Sequence, residues 1–340
     1  MKKIVFGFLL LTLFTNIRAQ DPAFSQFFAS PLTLNPALTG KFNGDVRVAG
    51  NYRDQWPTIN NAFITSTISV DMPIFRNHLP ENNTWGVGIM AMTDKTASGA
   101  LNSNYLSFST AYHISLDQDG YHQLGLGFQG TYATKMLDGT KLHFEDQLDQ
   151  QGGWTLPSSE TIQGRQVNLN YFDMNVGVLY NGTTTGANNF YVGASIYHLN
   201  TPKESFLGND VYLLHPRFTA HGGASLPVSD NGYVHFSALY SRQDMATNTV
   251  LGGAWSINVN NDNDNPTNVY LGSWLRFNNV TDAWIPYVGL DFGSFTMGLS
   301  YDVNISALKT ASQSQGGIEI SLVYIKKSSD GRKPLPCPKF

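Results

Sequence analysis

The chain has one cysteine in 340 residues, Cys337. That excludes an intrachain disulfide framework and any cysteine-based zinc site. Charge is also scarce. Asp, Glu, Lys and Arg make up 14% of the chain, against about 25% in ordinary soluble domains. Hydrophobic residues reach only 41% and mean hydropathy is −0.20, which argues against a bundle of membrane helices and against a charge-rich disordered chain. Beyond the first twenty residues no 18-residue apolar run occurs, so no transmembrane helix is predicted there. No helix of four turns and no fixed repeat is legible, which disfavours propellers and solenoids. The eight histidines show no HExxH spacing, no nucleophile elbow flanks a serine, and no phosphate-binding glycine loop occurs. No enzyme activity and no cofactor is expected. His143, Glu145 and Asp146 are candidate cation ligands that a solvated acidic loop describes better, and Asp262-x-Asp264 lacks the Gly and distal Glu of an EF-hand and reads as a turn.

What is abundant is glycine, asparagine and aromatic residues: 32 Gly, 30 Asn and 13% Phe, Trp and Tyr. The N-terminus reads as a secretory signal. Lys2 and Lys3 precede an apolar run from Ile4 to Phe14, and Asn16-Ile17-Arg18-Ala19 supplies a small-residue cleavage site. Cleavage after Ala19 leaves 340 − 19 = 321 residues with a formal charge of 18 − 25 = −7. That balance gives no reason to expect nucleic-acid binding.

The rest alternates at period two. Val46, Val48, Gly50 and Tyr52 alternate with Arg47, Ala49, Asn51 and Arg53, and Ile64, Ile68, Val70 and Met72 alternate with Thr65, Thr67, Ser69 and Asp71. Residues i and i+2 share one face of a strand, so each segment has an apolar and a polar or small face. About fourteen such segments are predicted, at 44–53, 62–72, 84–93, 101–115, 121–134, 168–180, 189–199, 215–226, 232–241, 246–259, 267–277, 283–292, 294–303 and 316–325. Turn dipeptides such as Asp119-Gly120 and Asn181-Gly182 separate them.

These segments run about ten residues, the length that crosses a bilayer at a tilt, whereas soluble strands average about five to six. Aromatics recur near their ends, among them Tyr52, Trp85, Tyr132, Trp255, Trp284 and Tyr324, as an interfacial girdle requires. With an even strand count the connections 135–167, 200–214 and 304–315 fall on one side and are long, while 116–120, 227–231 and 293–294 fall on the other and are short. The predicted fold is therefore an all-β transmembrane antiparallel barrel of about fourteen strands over 43–326, in the outer membrane of a Gram-negative bacterium, in contact with its lipid. A soluble β-sandwich is the disfavoured alternative.

The same parity points Arg47, Arg53, Arg217 and Arg276 into the lumen with Asp71, Asp173, Asp291 and Asp302, four cations and four anions able to pair there. Inward glycines such as Gly86, Gly127 and Gly177 leave room. Residues 20–42 are apolar, proline-punctuated and aperiodic, and are expected to form an N-terminal plug. Residues 327–340 form a basic, proline-rich periplasmic tail that cannot extend the last strand.

Asp21-Pro22-x-Phe24-Ser25-Gln26, followed by Pro31-Leu32-x-Leu34-Asn35-Pro36-Ala37-x-x-Gly40, resembles the start of the PorP/SprF family. Tyr52-Arg53-x-Gln55-Trp56-Pro57 and the ending Cys337-Pro338-Lys339-Phe340 fit the same family. The motifs cover about 40 residues at the two ends. The resemblance implies an outer-membrane barrel of the Bacteroidota type IX secretion system. It further implies partners in the type IX machinery and a secreted cargo or adhesin, bearing a type B C-terminal domain, held at the surface; some members serve gliding motility. Asp138, Glu145, Trp154 and Leu156 in the longest loop, with Phe206 and Leu207, are the candidate partner contacts. Asn35-Pro36-Ala37 is also similar to the hatch of the long-chain fatty-acid transporter family. That leaves a transporter for apolar small molecules as the second reading.

Overall fold

The computed structural model describes residues 21–59, 62–206, 208, 212–260, 267–278, 280–307, 309–328 and 337. The expected signal peptide 1–19, Leu207 and most of the tail 327–340 lie outside the described residues.

Fourteen antiparallel strands close on themselves. They are β1 (Val46–Gln55), β2 (Phe63–Ile74), β3 (Thr84–Thr96), β4 (Leu101–Ser115), β5 (His122–Asp138), β6 (Gln166–Gly182), β7 (Asn189–Tyr197), β8 (Arg217–Ser229), β9 (Gly232–Gln243), β10 (Ala246–Asn258), β11 (Thr267–Asn278), β12 (Val280–Phe292), β13 (Phe295–Asn304) and β14 (Gln315–Lys326). Each pairs with its sequence neighbours, and β1 pairs with β14 from Val46 opposite Lys326 to Gln55 opposite Gly317. Closure leaves no sheet edge around the wall, which is what a bilayer demands of a β-structure. No helix among the described residues is long and apolar enough to cross a membrane; the strands provide the crossing.

Burial follows the predicted alternation. On β1 the even positions are more exposed, while Arg47, Ala49, Asn51 and Arg53 are buried. Ile68, Leu106, Leu126, Val192 and Leu271 are more than half exposed on the outer wall, an inversion of a soluble protein that makes sense only against hydrocarbon. Aromatics flank this wall at both ends: Tyr132, Tyr240 and Trp284 near one rim, Trp85, Trp255 and Phe295 near the other.

The longest loops fall on one rim, as expected. That rim carries 139–165, 198–216 and 305–314, with the short turn 244–245; the other carries the turns at 230–231 and 293–294, the nine-residue connection 75–83 and both ends of the barrel. The long hairpin differs in detail. β5 runs to Asp138 and β6 starts at Gln166, so strands rise four and two residues further than the turn chemistry suggests. Leu137 and Val167 extend the ladder where a loop was expected, because the pairing continues once the register is set.

The aperiodic segment 21–42 lies inside the closed sheet. It makes three short helical turns at Phe27–Ala29, Pro31–Leu34 and Pro36–Leu38. Pro31 and Pro36 start the second and third turns, where the missing N–H costs nothing. Phe24, Phe27, Leu32, Leu34, Ala37 and Leu38 are all buried. The segment runs from the loop rim, where Asp21 meets His198, to the opposite rim, where Phe42 stacks under the Arg47 guanidinium at 4.8 Å.

Candidate functional site: the occupied lumen and its outer rim

The segment crosses the lumen with few regular hydrogen bonds of its own, so its backbone groups need partners from the wall. The wall supplies them. The Leu32 carbonyl accepts from Gln129 Nε2 and from the Tyr197 hydroxyl, both at 3.0 Å. The Leu34 carbonyl accepts from Ser195 Oγ at 2.8 Å, and the Leu38 carbonyl from Arg47 Nη2 at 2.9 Å. Asn35 is fully buried; its Oδ1 caps the following turn by accepting from Ala37 N at 2.8 Å. Its amide nitrogen donates to the Val178 carbonyl at 3.0 Å and meets His221 Nε2 at 2.9 Å. One side chain thus caps a turn and ties β6 to β8 through the segment.

Close approach explains the lumen glycines. A Cβ on Gly127 would sit 2.2 Å from Ala37 N, and one on Gly86 2.3 Å from the Thr39 carbonyl oxygen. Contacts under 3 Å are not tolerated, so backbone meets backbone there only because both strands carry glycine. Gly40, at φ +71°, makes the turn against Gly86.

Charges fasten the segment at two ends. Near the first turn Arg53 Nη2 is 2.7 Å from Asp302 Oδ2, and Arg53 Nη1 is 2.9 Å from Glu319 Oε2. Arg276 bridges Asp302 at 2.6 Å and Asp282 at 2.9 Å. Into this cluster the segment inserts Ser25 and Gln26. Both their backbone amides donate to Glu319, each at 2.8 Å, and Ser25 Oγ donates to Asp302 at 2.9 Å. Gln26 donates through Nε2 to Ser300 Oγ at 3.0 Å, and its Oε1 accepts from Ser321 Oγ at 2.6 Å. At the opposite rim Arg47 clamps Asp71 with two bonds of 2.9 and 2.7 Å, and Gly40 N donates to Asp71 Oδ2 at 2.7 Å. Phe28 packs on Trp274 at 5.1 Å and edge-on to Tyr287 at 5.6 Å.

At the loop rim His198 lies between two carboxylates, Nε2 at 2.6 Å from Asp21 and Nδ1 at 2.9 Å from Asp173. Arg217 adds a contact of 3.2 Å to Asp21 and lies over the Tyr197 ring at 4.4 Å. Burial alone would drive protons off His198. The Asp21 charge and the hydrogen bonds to Asp173 and Asp21 outweigh it and raise the imidazolium pKa to about 9. Burial would likewise raise the Asp21 carboxyl, yet His198 and Arg217 hold it well below the usual carboxylate range. The loop 198–216 is tied to the wall by Lys135 Nζ and Glu204 Oε1 at 2.6 Å.

The sequence-derived residues divide accordingly. Arg47 with Asp71, and both Arg53 and Arg276 with Asp302, form ion pairs. Asp173 is drawn to His198 and Arg217 to Asp21, so these two pair with residues outside the strands. Asp291 faces inward but accepts from the Tyr270 hydroxyl at 2.5 Å and Thr296 Oγ1 at 2.6 Å. Glu319, Asp282, Asp21 and His198 were not foreseen. Glu319 was legible as the one charged position on the inward face of β14; Asp21 sits outside any periodic segment, and His198 falls in the predicted segment 189–199 but just past the end of β7, where a φ of +59° departs from strand geometry. Of the motif residues, Phe24, Ser25, Gln26, Pro31, Asn35 and Pro36 are buried in the lumen, and Trp56 follows β1 at the loop rim with φ +56°.

Among the candidate loop residues, Asp138 is a correction. It is buried and caps the turn after β5, accepting from Thr140 N at 3.1 Å, so it does not face a partner. Glu145, Trp154 and Leu156 are exposed, the last two by 48% and 47%, and Phe206 is half-buried. Leu148 bridges Trp154 across a small hairpin, and His143 stacks on the Trp154 ring at 5.2 Å. Asp149 accepts from Thr155 Oγ1 and Gly153 N, and the Ser158 hydroxyl and the Ser159 N–H act likewise on Asp146; these contacts lower both carboxyl pKa values. The loop is thus internally braced while its apolar residues stay outside. Among the described residues no group of three or more His, Cys, Asp or Glu is placed to hold a metal ion.

A closed fourteen-strand sheet with an apolar outer wall, aromatic girdles and a polar, occupied lumen defines an outer-membrane β-barrel of a Gram-negative bacterium. Residues 16–324 match the family described as "Type IX secretion system membrane protein PorP/SprF", and the chain belongs to that family. It is accordingly a membrane barrel of type IX secretion. A search of curated proteins finds no match. Similar solved structures include the translocator domain of the autotransporter NalP from Neisseria meningitidis, at 13% identity and a TM-score of 0.40, covering 84% of this chain and 90% of that one. A Pseudomonas aeruginosa FadL homologue is similar at 9% identity and a TM-score of 0.42, covering 85% and 92%.

Proposed function

We propose that this barrel partners and anchors a secreted cell-surface protein, a type IX cargo with a type B C-terminal domain such as a gliding adhesin. Segment 21–42 acts as a plug, so the cargo docks on the outer loops and does not pass through this lumen. The observation that supports this reading is the combination of a lumen filled by Ser25 to Phe42 with outer loops that hold Trp154, Leu156 and Leu148 out in solvent. Exposed aromatic and aliphatic side chains on a braced loop have the character of interface anchors. Replacing Trp154 and Leu156 by Ala should release the cargo from the cell surface into the medium while the barrel remains assembled and heat-modifiable on gels. Cargo retained at wild-type level by that double variant would remove the basis of the proposal.

The transporter reading has one feature in its favour. A cleft at the loop rim, lined by Pro22, Phe24, Phe27, Leu34, Leu239 and Arg217, opens beside the start of the segment. Solute passage past it requires the segment to leave its buried charge contacts. Liposomes carrying the wild-type barrel should therefore be tight to sugars; leakage that deletion of 139–165 leaves unchanged would favour transport.

A further inference from the structure

The outer wall of the barrel is not uniformly smooth. Between β2 and β5 it has a concavity of about 400 Å³, lined by Ser66, Ile68, Ala91, Thr93, Leu106 and Tyr132. Its floor consists of the small outward side chains Ala91, Thr93 and Ser66. Its banks are Ile68 and Leu106, 56% and 54% exposed, and the Tyr132 ring. Register makes this one continuous trough, since Ile68 lies opposite Ala91, Ala91 opposite Leu106 and Leu106 opposite Tyr132.

Above it the wall changes character. The next outward residue of β3 after Thr93 is Lys95, which is exposed and has no ion-pair partner among the described residues. It is the only charged side chain on the outward positions of β2, β3 and β4. Ala91 to Lys95 is four residues, about 13 Å along the strand and roughly 10 Å along the membrane normal at a barrel strand's tilt. Lys95 therefore sits at the outer headgroup level while Ala91 lies at acyl-chain depth. Lys141, whose Nζ donates to the Gly99 carbonyl at 3.2 Å, brings a second ammonium to the turn above.

We propose that this trough is a binding site for a phosphorylated outer-leaflet lipid, with an acyl chain along Ala91 between Ile68 and Leu106 and the phosphate at Lys95. The site rests on the membrane-spanning fold and is independent of cargo anchoring. An apolar channel with small residues accepts a methylene chain, and the Lys95 cation at headgroup height, with the Lys141 ammonium at the turn above, selects an anionic head.

The test is native mass spectrometry of the full barrel in detergent, titrated with diphosphoryl lipid A and, separately, with zwitterionic phosphatidylcholine. Wild-type protein should retain lipid A preferentially. Lys95→Gln should weaken lipid A binding about fivefold and leave phosphatidylcholine unchanged. Ala91→Phe fills the trough and should reduce both lipids; Thr93→Leu serves the same purpose if that variant assembles poorly. Arg242→Gln removes an outward cation on β9 and should change nothing. Equal losses from Arg242→Gln and Lys95→Gln would overturn the site in favour of diffuse charge attraction. Unchanged lipid binding in Ala91→Phe, or loss of a co-purifying protein in its place, would overturn it outright.

Discussion

Arg53→Met tests whether the buried charge cluster holds the N-terminal segment in place. Arg53 contacts Glu319, Asp302 and Ser25 Oγ, and its side chain is only 4% exposed. Removing one member of a buried ion-pair network costs about 3–5 kcal/mol, because the remaining charges stay in low dielectric. The lower end applies here. Asp302 keeps Arg276 and Ser25, and Glu319 keeps the two backbone amides of Ser25 and Gln26. A loss of about 3 kcal/mol is a factor of roughly 150 in the opening equilibrium. The strand ladder does not depend on this side chain, so the cost should fall on the segment. Hydrogen exchange by mass spectrometry should show amides of Phe24–Ser30 exchanging roughly 150-fold faster, with strand peptides unchanged. Adding Glu319→Gln should recover part of the protection by removing an orphaned charge. Exchange within about threefold of wild type would refute the assignment of the cluster as an anchor.

Gly127→Val should destabilise the seated segment by more than a typical overpacking cost of about 1–3 kcal/mol, since its Cβ meets the Ala37 backbone; labelling of a cysteine at Leu32 in a Cys337→Ser background reports it. The His198 latch has a definite sign. Its folded pKa of about 9 exceeds the unfolded 6.5, so its stabilisation is complete below about pH 6.5 and is lost as pH rises through about 9. Protection at residues 21–24, taken relative to the base-catalysed intrinsic exchange rate at each pH, should fall over that window, and His198→Gln should abolish this fall in protection. Because Asp21 lies at the loop rim, an epitope inserted before it should bind antibody on intact cells; binding only after permeabilisation would place the rim on the other side of the membrane.

Strand positions were legible because a two-sided wall imposes a strict period of two. Lipid rewards apolar side chains on one face and a polar lumen tolerates charge on the other, so Ile64, Ile68, Val70 and Met72 announce β2 without any tertiary information. The same rule named Arg47, Arg53, Asp71 and Asp302 as inward residues, and the family was legible in Asn35-Pro36-Ala37 and its neighbours. Partner choice was not. Parity says that Arg217 and Asp173 face inward, yet Arg217 turns to Asp21, whose position depends on how the segment threads the lumen, and Asp173 to His198, which lies just past the end of β7. Asp138 looked like a loop carboxylate because turn chemistry suggested β5 would end sooner; once the pairing with β6 had its register, the ladder ran on and buried it. Local pattern alone determined the barrel, its strand count and the side on which the long loops lie, since each follows from alternation and spacing within the chain. Which charges meet, and that Gly127 must accept the Ala37 backbone, was decided only when residues as far apart in sequence as Ser25 and Glu319, 294 positions, were brought together by closure, because pairing energies depend on distances that no one-dimensional pattern contains.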